Sequence, residues 1–330
     1  MEEMTLAEYV YWLRSLIGTQ KVPMVFACAV VQDDSGRVLW QRRGDFGWWG
    51  LLGGVVELNE SLTDCVIREV FEESGLQVAV ERLLGVYSSP DFDVVYPNGD
   101  QVQQVTFTFV CSVRGGAIHV DGGETLALEW MPVGTLPKTS LWYTAMITDL
   151  RLNSPVAQYK HGTAGNERLQ GPFYRHLRQY IGHQPFVAAG AVAVVMDDAG
   201  RILLQLRSDY KQWGLPGGGL ELGERIDKTA VCEVKEETGL DVEVVRLSGV
   251  YSDERFYARY PNGDELKAIL AVFVCRVTGG LLEIDGDESL DLAFFAVDDL
   301  PPLPDFVQEM IADALKGETG CIYETMFHKT

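Results

Sequence analysis

The chain is a tandem duplication, and this limits the folds open to it more than any other feature. The second half repeats the first at a constant offset of 164 residues, without a gap up to Asp149 and Asp313. A period this long indicates two whole domains and not a solenoid of small repeats. We expect a first domain over 1–152, a linker over 153–171 and a second domain over 172–330. Matching segments are Ile17–Gly18 with Ile181–Gly182, Asp33–Arg37 with Asp197–Arg201, and Tyr96–Asp100 with Tyr260–Asp264.

Each half carries a box of glycines and clustered carboxylates, at residues 54–76 and 218–240. In the first box Glu69, Glu72 and Glu73 are spaced i, i+3 and i+4, which places them on one face of a helix. Three carboxylates repel one another there, whereas a hard cation such as Mg²⁺ or Mn²⁺ reverses the sign of that interaction. The box therefore predicts a divalent-metal site.

Local signals predict where the box helix begins and ends. Ser61 and Asp64 are typical of a capped helix start, and Gly75 of a C-terminal stop. Leu62, Val66 and Val70 recur every four residues, so a second face of the helix is expected to be buried.

The first box matches the pattern G-x5-E-x7-R-E-U-x-E-E-x-G-U, where U is aliphatic, at every fixed position, and so resembles the signature of the Nudix (MutT-like) hydrolases. The resemblance implies an α/β/α sandwich with mixed sheets for each domain, in an α/β or α+β class, and packing of the repeats as an intramolecular pseudo-dimer. It also implies that the Gly53 carbonyl, Glu72 and Glu73 bind metal, while Glu69 is the catalytic base or a further ligand. Glu124, in a downstream loop, is the candidate that completes the site.

The predicted site residues form two matched sets. In the first half they are Glu60, Arg68 and Glu69 for catalysis, and Gly53, Glu69, Glu72, Glu73 and Glu124 for metal binding. In the second half they are Glu224 and Glu233 for catalysis, and Gly217, Glu233, Glu236, Glu237 and Glu288 for metal binding.

The two boxes differ in ways that bear on activity. Cys232 stands where the first box has Arg68, and a thiol cannot clamp carboxylates as a guanidinium does. Conversely, the first copy is the less typical one at two positions. Leu52, just before the box, stands where the second copy has Pro216, and Asn59, within the box, stands where it has Gly223. The sequence thus favours unequal sites, with the first one more active.

Composition excludes several classes of function. The net charge of −21 argues against a surface that follows a nucleic-acid backbone, although it allows a small anionic substrate bound through a cation. Six scattered cysteines lack C-x-x-C spacing, so neither a zinc cage nor a disulfide framework is predicted. The acidic N-terminus has no apolar secretory core and no apolar run is long enough to span a membrane, which predicts a cytoplasmic protein.

Alternating apolar runs and turn motifs predict mixed strands and a few helices in each half. The predicted helices outside the boxes are Tyr9–Ile17, Ser140–Leu152, Phe173–Ile181 and Asp305–Leu315. The predicted strands include Val25–Val31, Val78–Tyr87, Val105–Val113, Gly190–Met196, Val242–Tyr251 and Ile269–Val277.

Four residues near the boxes are candidates for substrate binding. Arg43 and Arg207 suit phosphate recognition, although a surface arginine at a strand end is an equal alternative. Trp49 and Trp213 suit stacking on a base, although core packing is the commoner role of such a side chain.

The function predicted from these features is Mg²⁺-dependent hydrolysis, by attack of water, of a nucleoside diphosphate linked to another group. The alternative is that one domain, by preference the second, is a non-catalytic nucleotide-binding or structural domain. The box does not identify the substrate, because specificity in such folds lies in loops outside it.

We expect Glu73→Gln and Glu237→Gln each to lower turnover at their own site by at least ~10²-fold, because each removes a charged ligand from the cluster. Steady-state hydrolysis by the single and double variants measures this effect. Unchanged turnover in the double variant would contradict the metal-site assignment.

Overall fold

The computed structural model describes residues 6–120, 122–163, 173–284, 286, 288–317 and 322–323. The first unit has three α-helices and eight strands within these ranges, in the order α1 (Leu6–Ile17), β1 (Val22–Gln32), β2 (Arg37–Arg43), β3 (Trp49–Gly50), β4 (Leu52–Val55), α2 (Leu62–Ser74), β5 (Leu76–Tyr87), β6 (Val94–Val95), β7 (Gln101–Gly116), β8 (Thr125–Pro132) and α3 (Leu141–Leu152).

The second unit repeats this order and adds one short strand. Its elements are α4 (Phe173–Ile181), β9 (Phe186–Met196), β10 (Ile202–Arg207), β11 (Trp213–Gly214), β12 (Gly217–Gly219), α5 (Ile226–Thr238), β13 (Leu240–Tyr251), β14 (Tyr257–Arg259), β15 (Glu265–Gly280), β16 (Ser289–Phe295), α6 (Asp305–Leu315) and β17 (Ile322–Tyr323). Every predicted helix is present, with bounds that shift by at most a few residues.

Each unit is built on a mixed sheet. In the first, the path is β3-β2-β1-β7-β5, where β1 and β7 run parallel and β5 and β7 antiparallel. The short strand β4 also pairs with β1, which sets Gly53 opposite Cys28. The second sheet has the equivalent order, β11-β10-β9-β15-β13, with β17 added beside β13.

Both faces of the first sheet are covered, because β1 alternates its side chains between two hydrophobic clusters. Ala27 and Ala29 join the cluster on the α2 side, whereas Cys28 and Val30 join the cluster that contains Met146 of α3. A strand buried on both faces needs an apolar run without polar alternation, as β1 has. The predicted α/β/α sandwich is confirmed for each unit.

The two units share a core. One cluster of buried side chains includes Val66 and Phe107 from the first unit and Ala191 and Phe273 from the second. Helix α1 contacts α4, and the Tyr9 hydroxyl accepts a hydrogen bond of 3.0 Å from the Val187 amide. The repeats therefore pack directly on one another.

The segment predicted as a linker is packed over its described part, 153–163. The Gln158 amide donates to the Leu84 carbonyl (3.0 Å), and the Gln158 carbonyl accepts from Val86 (2.8 Å). Tyr159 is buried and meets Phe273 of the second unit edge-on, with centroids 5.2 Å apart. The polar composition of this segment predicted a linker, but two of its side chains, Ala157 and Tyr159, are part of the shared core. The remainder of the predicted linker, 164–171, lies outside the described residues.

In the part of the chain that the structure describes, no helix combines the length and the apolar character needed to cross a membrane.

We expect Tyr159→Ala to lower the free energy of unfolding by about 2–4 kcal/mol, because it leaves a cavity in the core that joins the units. Tyr11→Ala is the matched control, since Tyr11 is 80% exposed. Chemical denaturation of both variants measures the difference. Equal, small effects would show that the segment adds nothing to the joined core.

Candidate active site

Helix α2 is fixed at both ends by its own sequence. The Ser61 hydroxyl accepts from the Asp64 amide (3.1 Å), and the Asp64 carboxylate accepts from the Ser61 amide (3.2 Å). Gly75 ends the helix in the left-handed region at φ 73°, where its amide donates to the Phe71 carbonyl. The predicted capping is present in full.

Glu73 is buried and held by two donors. The Gly53 amide donates to Oε2 (2.9 Å) and the Gln41 side-chain amide donates to Oε1 (2.7 Å). Gln41 is in turn oriented by the Thr125 hydroxyl, which donates to its Oε1 (2.9 Å). Burial is the largest influence on Glu73 and, despite these donors, raises its pKa to about 8.

Glu69 lies directly against the lead-in, the Gly53–Gly54 segment that precedes the box helix in the sequence. A Cβ atom on Gly54 would come within 2.3 Å of a Glu69 carboxylate oxygen, so only glycine leaves room for this side chain. Burial, opposed by the charge of Arg68, raises the pKa of Glu69 to about 7. Glu72, by contrast, points to solvent, with 57% of its side chain exposed.

Arg68 joins three carboxylates. Its guanidinium donates to Glu60 from two nitrogens (3.0 and 2.8 Å), to Glu69 (2.8 Å) and to Glu72 (3.0 Å). Burial lowers the Arg68 pKa, but its bonds and charge interactions with Glu60 and Glu69 outweigh that and leave it raised. The clamp predicted from sequence therefore also reaches the loop before the helix.

The carboxylates of Glu69 and Glu73 lie beside Gly53 and Gly54, and oxygen donors of this kind suit a hard cation. Among the described residues, however, no group of three or more His, Cys, Asp or Glu side chains is arranged to enclose a metal ion. Arg68 supplies the positive charge that faces Glu69 and Glu72, while Glu73 is turned to Gln41 and Gly53.

The second unit reproduces the buried part of this arrangement, around Glu237, the residue that matches Glu73. Glu237 accepts from the Gly217 amide (2.8 Å) and from Gln205 (3.0 Å), and Ser289 orients Gln205 (2.7 Å). Burial raises the pKa of Glu237 to about 7. A Cβ on Gly218 would approach Glu233 within 2.4 Å, as at the first site.

The part of the second site that includes Glu224 and Glu236 differs from the first because Cys232 replaces the arginine. The Thr229 hydroxyl donates to Glu224 (3.1 Å), the carboxylate that matches Glu60. The Tyr174 ring packs so closely on the lead-in that a Cβ on Gly219 would lie 2.4 Å from it. Glu236, like Glu72, is exposed.

A cavity of about 360 Å³ opens beside the first carboxylate cluster. Glu69 and Glu73 line one part, and Glu124 also borders it. The rest of its lining includes Phe26, Phe46, Tyr96, Gln104, Thr106 and Trp142.

The substrate-binding candidates have partners of their own. Arg43 borders the cavity but is paired with Asp45 through two nitrogens (3.0 and 2.6 Å), and Arg207 pairs with Asp209 in the same way. Trp49 packs against the cluster around α3, and Trp213 meets Phe295 edge-on.

Sequence reasoning missed the residues that hold Glu73 and Glu237. Gln41 and Gln205, like Thr125 and Ser289, occupy equivalent positions of the duplication, which was the signal that could have identified them. Asp45 and Asp209, which pair with Arg43 and Arg207, also occupy equivalent positions of the duplication.

We expect Gly54→Ala to reduce any activity of the first site by at least ~10²-fold, because the new methyl group displaces the Glu69 carboxylate. Gly134→Ala is the control, since a Cβ there meets no atom within 4 Å. Turnover and a crystal structure of each variant test this. An unmoved Glu69 with full turnover would refute the role assigned to the glycine.

Comparison with known proteins agrees with this architecture. The NUDIX domain model matches residues 22–149 and 187–314. A putative 8-oxo-dGTP diphosphatase of Bacillus subtilis is 34% identical over 34% of this chain and 68% of its own, and an ADP-ribose pyrophosphatase of Methanocaldococcus jannaschii is 33% identical over 38% and 72%.

An NAD-capped RNA hydrolase, NudC of Vibrio atlanticus, is 30% identical over 36% of this chain and 42% of its own. Among solved structures, an ADP-ribose pyrophosphatase from Streptococcus suis is 26% identical over 41% of this chain and 96% of its own, with a TM-score of 0.34. The two family matches together span well over half of the sequence, and the chain belongs to the Nudix hydrolase family, with two Nudix domains in tandem.

Proposed function

We propose that the first unit hydrolyses the pyrophosphate bond of a nucleoside diphosphate linked to another group, with a divalent cation as cofactor. The observation that carries this proposal is the pair of buried carboxylates, Glu69 and Glu73, at the wall of a cavity large enough for part of a nucleotide. Buried carboxylates with raised pKa values that line a cleft are typical of functional sites.

Magnesium is the proposed cofactor, and manganese an alternative. The Gly53 carbonyl, Glu72 and Glu73 would hold it, with Glu124 at the cavity edge as a further ligand and Glu69 as another where it does not act as the base. When bound, such a cation neutralises phosphate oxygens and makes a water molecule more acidic.

Glu69 is the proposed base. Its pKa of about 7 suits a group that takes a proton from water at neutral pH. The water oxygen then bonds to phosphorus as the bond to the bridging oxygen breaks, and the leaving phosphate departs with its electron pair. Arg68 fixes the orientation of Glu69, and through Glu60 it links the helix to the preceding loop.

The names of the relatives point to small nucleotide-linked diphosphates such as 8-oxo-dGTP or ADP-ribose as the substrate class. The acidity of the chain disfavours extended contact with RNA. Release of products from a panel of 8-oxo-dGTP, ADP-ribose and NAD⁺, with Mg²⁺, Mn²⁺ or EDTA, tests the proposal. No hydrolysis of any member with either metal would overturn it.

The second unit is the proposed weaker site, or a non-catalytic nucleotide-binding domain. Support comes from Cys232 in the arginine position and from Tyr174, which packs on the lead-in glycine. The negative charges of Glu221, Glu224 and Glu233 all act on Tyr174, so the ring lies near the outer carboxylates of this site.

We expect Arg68→Cys to lower turnover of the first site by about ten- to a hundred-fold, because it removes a charge-assisted partner of Glu69. The measurement uses a background in which Glu233→Gln and Glu237→Gln silence the second site. Arg37→Cys, which breaks an exposed pair with Asp33, is the control.

The reciprocal variant, Cys232→Arg in a background with Glu69→Gln and Glu73→Gln, should gain activity at the second site. If Arg68→Cys loses nothing and Cys232→Arg gains nothing, the arginine does not account for any inequality between the sites.

A further inference from the structure

The box helix of each unit donates a hydrogen bond to the other unit. The Leu62 amide, at the first position of α2, donates to the Ser252 hydroxyl (2.8 Å). The Ile226 amide, at the first position of α5, donates to the Ser88 hydroxyl (2.9 Å). Ser88 and Ser252 are equivalent residues of the duplication, so the exchange is reciprocal.

These bonds satisfy amides that water does not reach. The first amides of a helix have no partner within it. Leu62 and Ile226 are 1% and 0% exposed, and Ser88 and Ser252 are almost fully buried. An unpaired amide in such a place destabilises the first turn, because no solvent replaces the lost acceptor.

The helices do not supply this acceptor themselves. Ser61 is the N-cap of α2, but its hydroxyl bonds the amide of Asp64, two positions beyond Leu62. The N-cap of α5 is Arg225, whose side chain makes no capping bond and pairs with Asp227 instead. At the start of α2, Ser252 therefore accepts from an amide in addition to the helix's own N-cap, Ser61. At the start of α5, Ser88 provides the side-chain cap that Arg225 does not.

A second contact between the units holds the loop before α5. The fully buried Gln103 side chain donates to the Glu224 carbonyl (2.8 Å) and accepts from the Gly223 amide (2.7 Å). The equivalent residue of the second unit is Lys267, also buried, whose ammonium donates to the Asp253 carbonyl (2.7 Å) next to Ser252. The Gln103 bonds therefore hold the loop before Ile226 against the first unit, whereas Lys267 anchors the residue next to Ser252 from within its own unit.

We propose that each unit positions the box helix of the other, with Ser252 the positioning residue for the first site and Ser88 for the second. Seven residues, about 10 Å along the axis, separate Leu62 from Glu69 on α2. A small shift of the first turn is therefore carried along the helix to Glu69 and Glu73, and misplacement by an ångström costs much of the rate in positioned chemistry.

A kinetic test isolates the first site with Glu233→Gln and Glu237→Gln, and this part of the inference rests on the proposed function. Ser252→Ala should lower kcat by about two- to thirty-fold, the range expected from loss of a helix cap. It should also raise the Mg²⁺ concentration for half-maximal rate, while KM for the nucleotide changes by less than about twofold. A purely structural role would lower the thermal midpoint and leave kcat and the Mg²⁺ requirement unchanged, which would overturn the proposal.

Ser248→Ala is the matched control for Ser252→Ala. Ser248 lies on β13, the strand that ends just before Ser252, and is equally buried, but among the described residues its hydroxyl has no hydrogen-bond partner. Its substitution should leave kcat and the Mg²⁺ requirement as they are. A loss equal to that of Ser252→Ala would assign the effect to packing of β13 and overturn the proposal.

Amide hydrogen exchange decides the matter independently of activity. Ser252→Ala should accelerate exchange in the first turn of α2, and Ser88→Ala should do so in the first turn of α5, each by at least about threefold and without effect on the other helix. Equal responses of both helices, or none, would refute reciprocal positioning. If no nucleotide in the panel is hydrolysed, the proposed function fails while this exchange result still stands.

Discussion

Burying two carboxylates on one helix face is the constraint on which the rest of each site depends. A buried charge is costly unless donors or an opposite charge surround it. Gly54 admits the Glu69 carboxylate because it lacks a side chain, while the Gly53 amide and the Gln41 side chain both donate to Glu73. The lead-in strand β4, the helix and the start of β8 are therefore tied together through Glu73 and Thr125.

The duplication has kept this inner arrangement and changed its surroundings. Glu237, Gln205 and Ser289 repeat the contacts of their counterparts almost atom for atom. At the position of Arg68 the second unit has Cys232, and the Thr229 hydroxyl donates to Glu224. An arginine can donate to several carboxylates at once, and a cysteine thiol cannot replace it in that role.

The elements and their caps could be predicted because their signals are local. Ser61, Asp64 and Gly75 lie within one helix length of the residues they affect, and the two copies support each other. The same was true of the carboxylate face, since i, i+3 and i+4 spacing needs no tertiary information. The fold followed from the box itself, because its pattern is specific to one family.

Partners distant in sequence could not be predicted in this way. Gln41 and Glu73 meet only after β2 and α2 pack together, so the duplication marks Gln41 as a repeated residue but does not identify its partner. Tyr159 lies in a stretch of polar composition, and its contact with Phe273 spans the two units. Ser88 and Ser252 look like ordinary residues after a strand. Their acceptor role depends on the approach of a helix from the other unit.

The buried carboxylates also link the stability of the protein to protons. The pKa values of Glu69, Glu73 and Glu237 in the folded chain, about 7, 8 and 7, lie above the ordinary value of 4.5. Between pH 4.5 and these raised pKa values, the folded protein retains protons that the unfolded chain has released. The free energy of unfolding therefore falls as pH rises through this window. The stabilising contribution is complete below about pH 4.5. A cation that binds only the ionised carboxylates displaces those protons. Its apparent affinity therefore rises with pH over the same range, and its binding returns the stability that deprotonation removed.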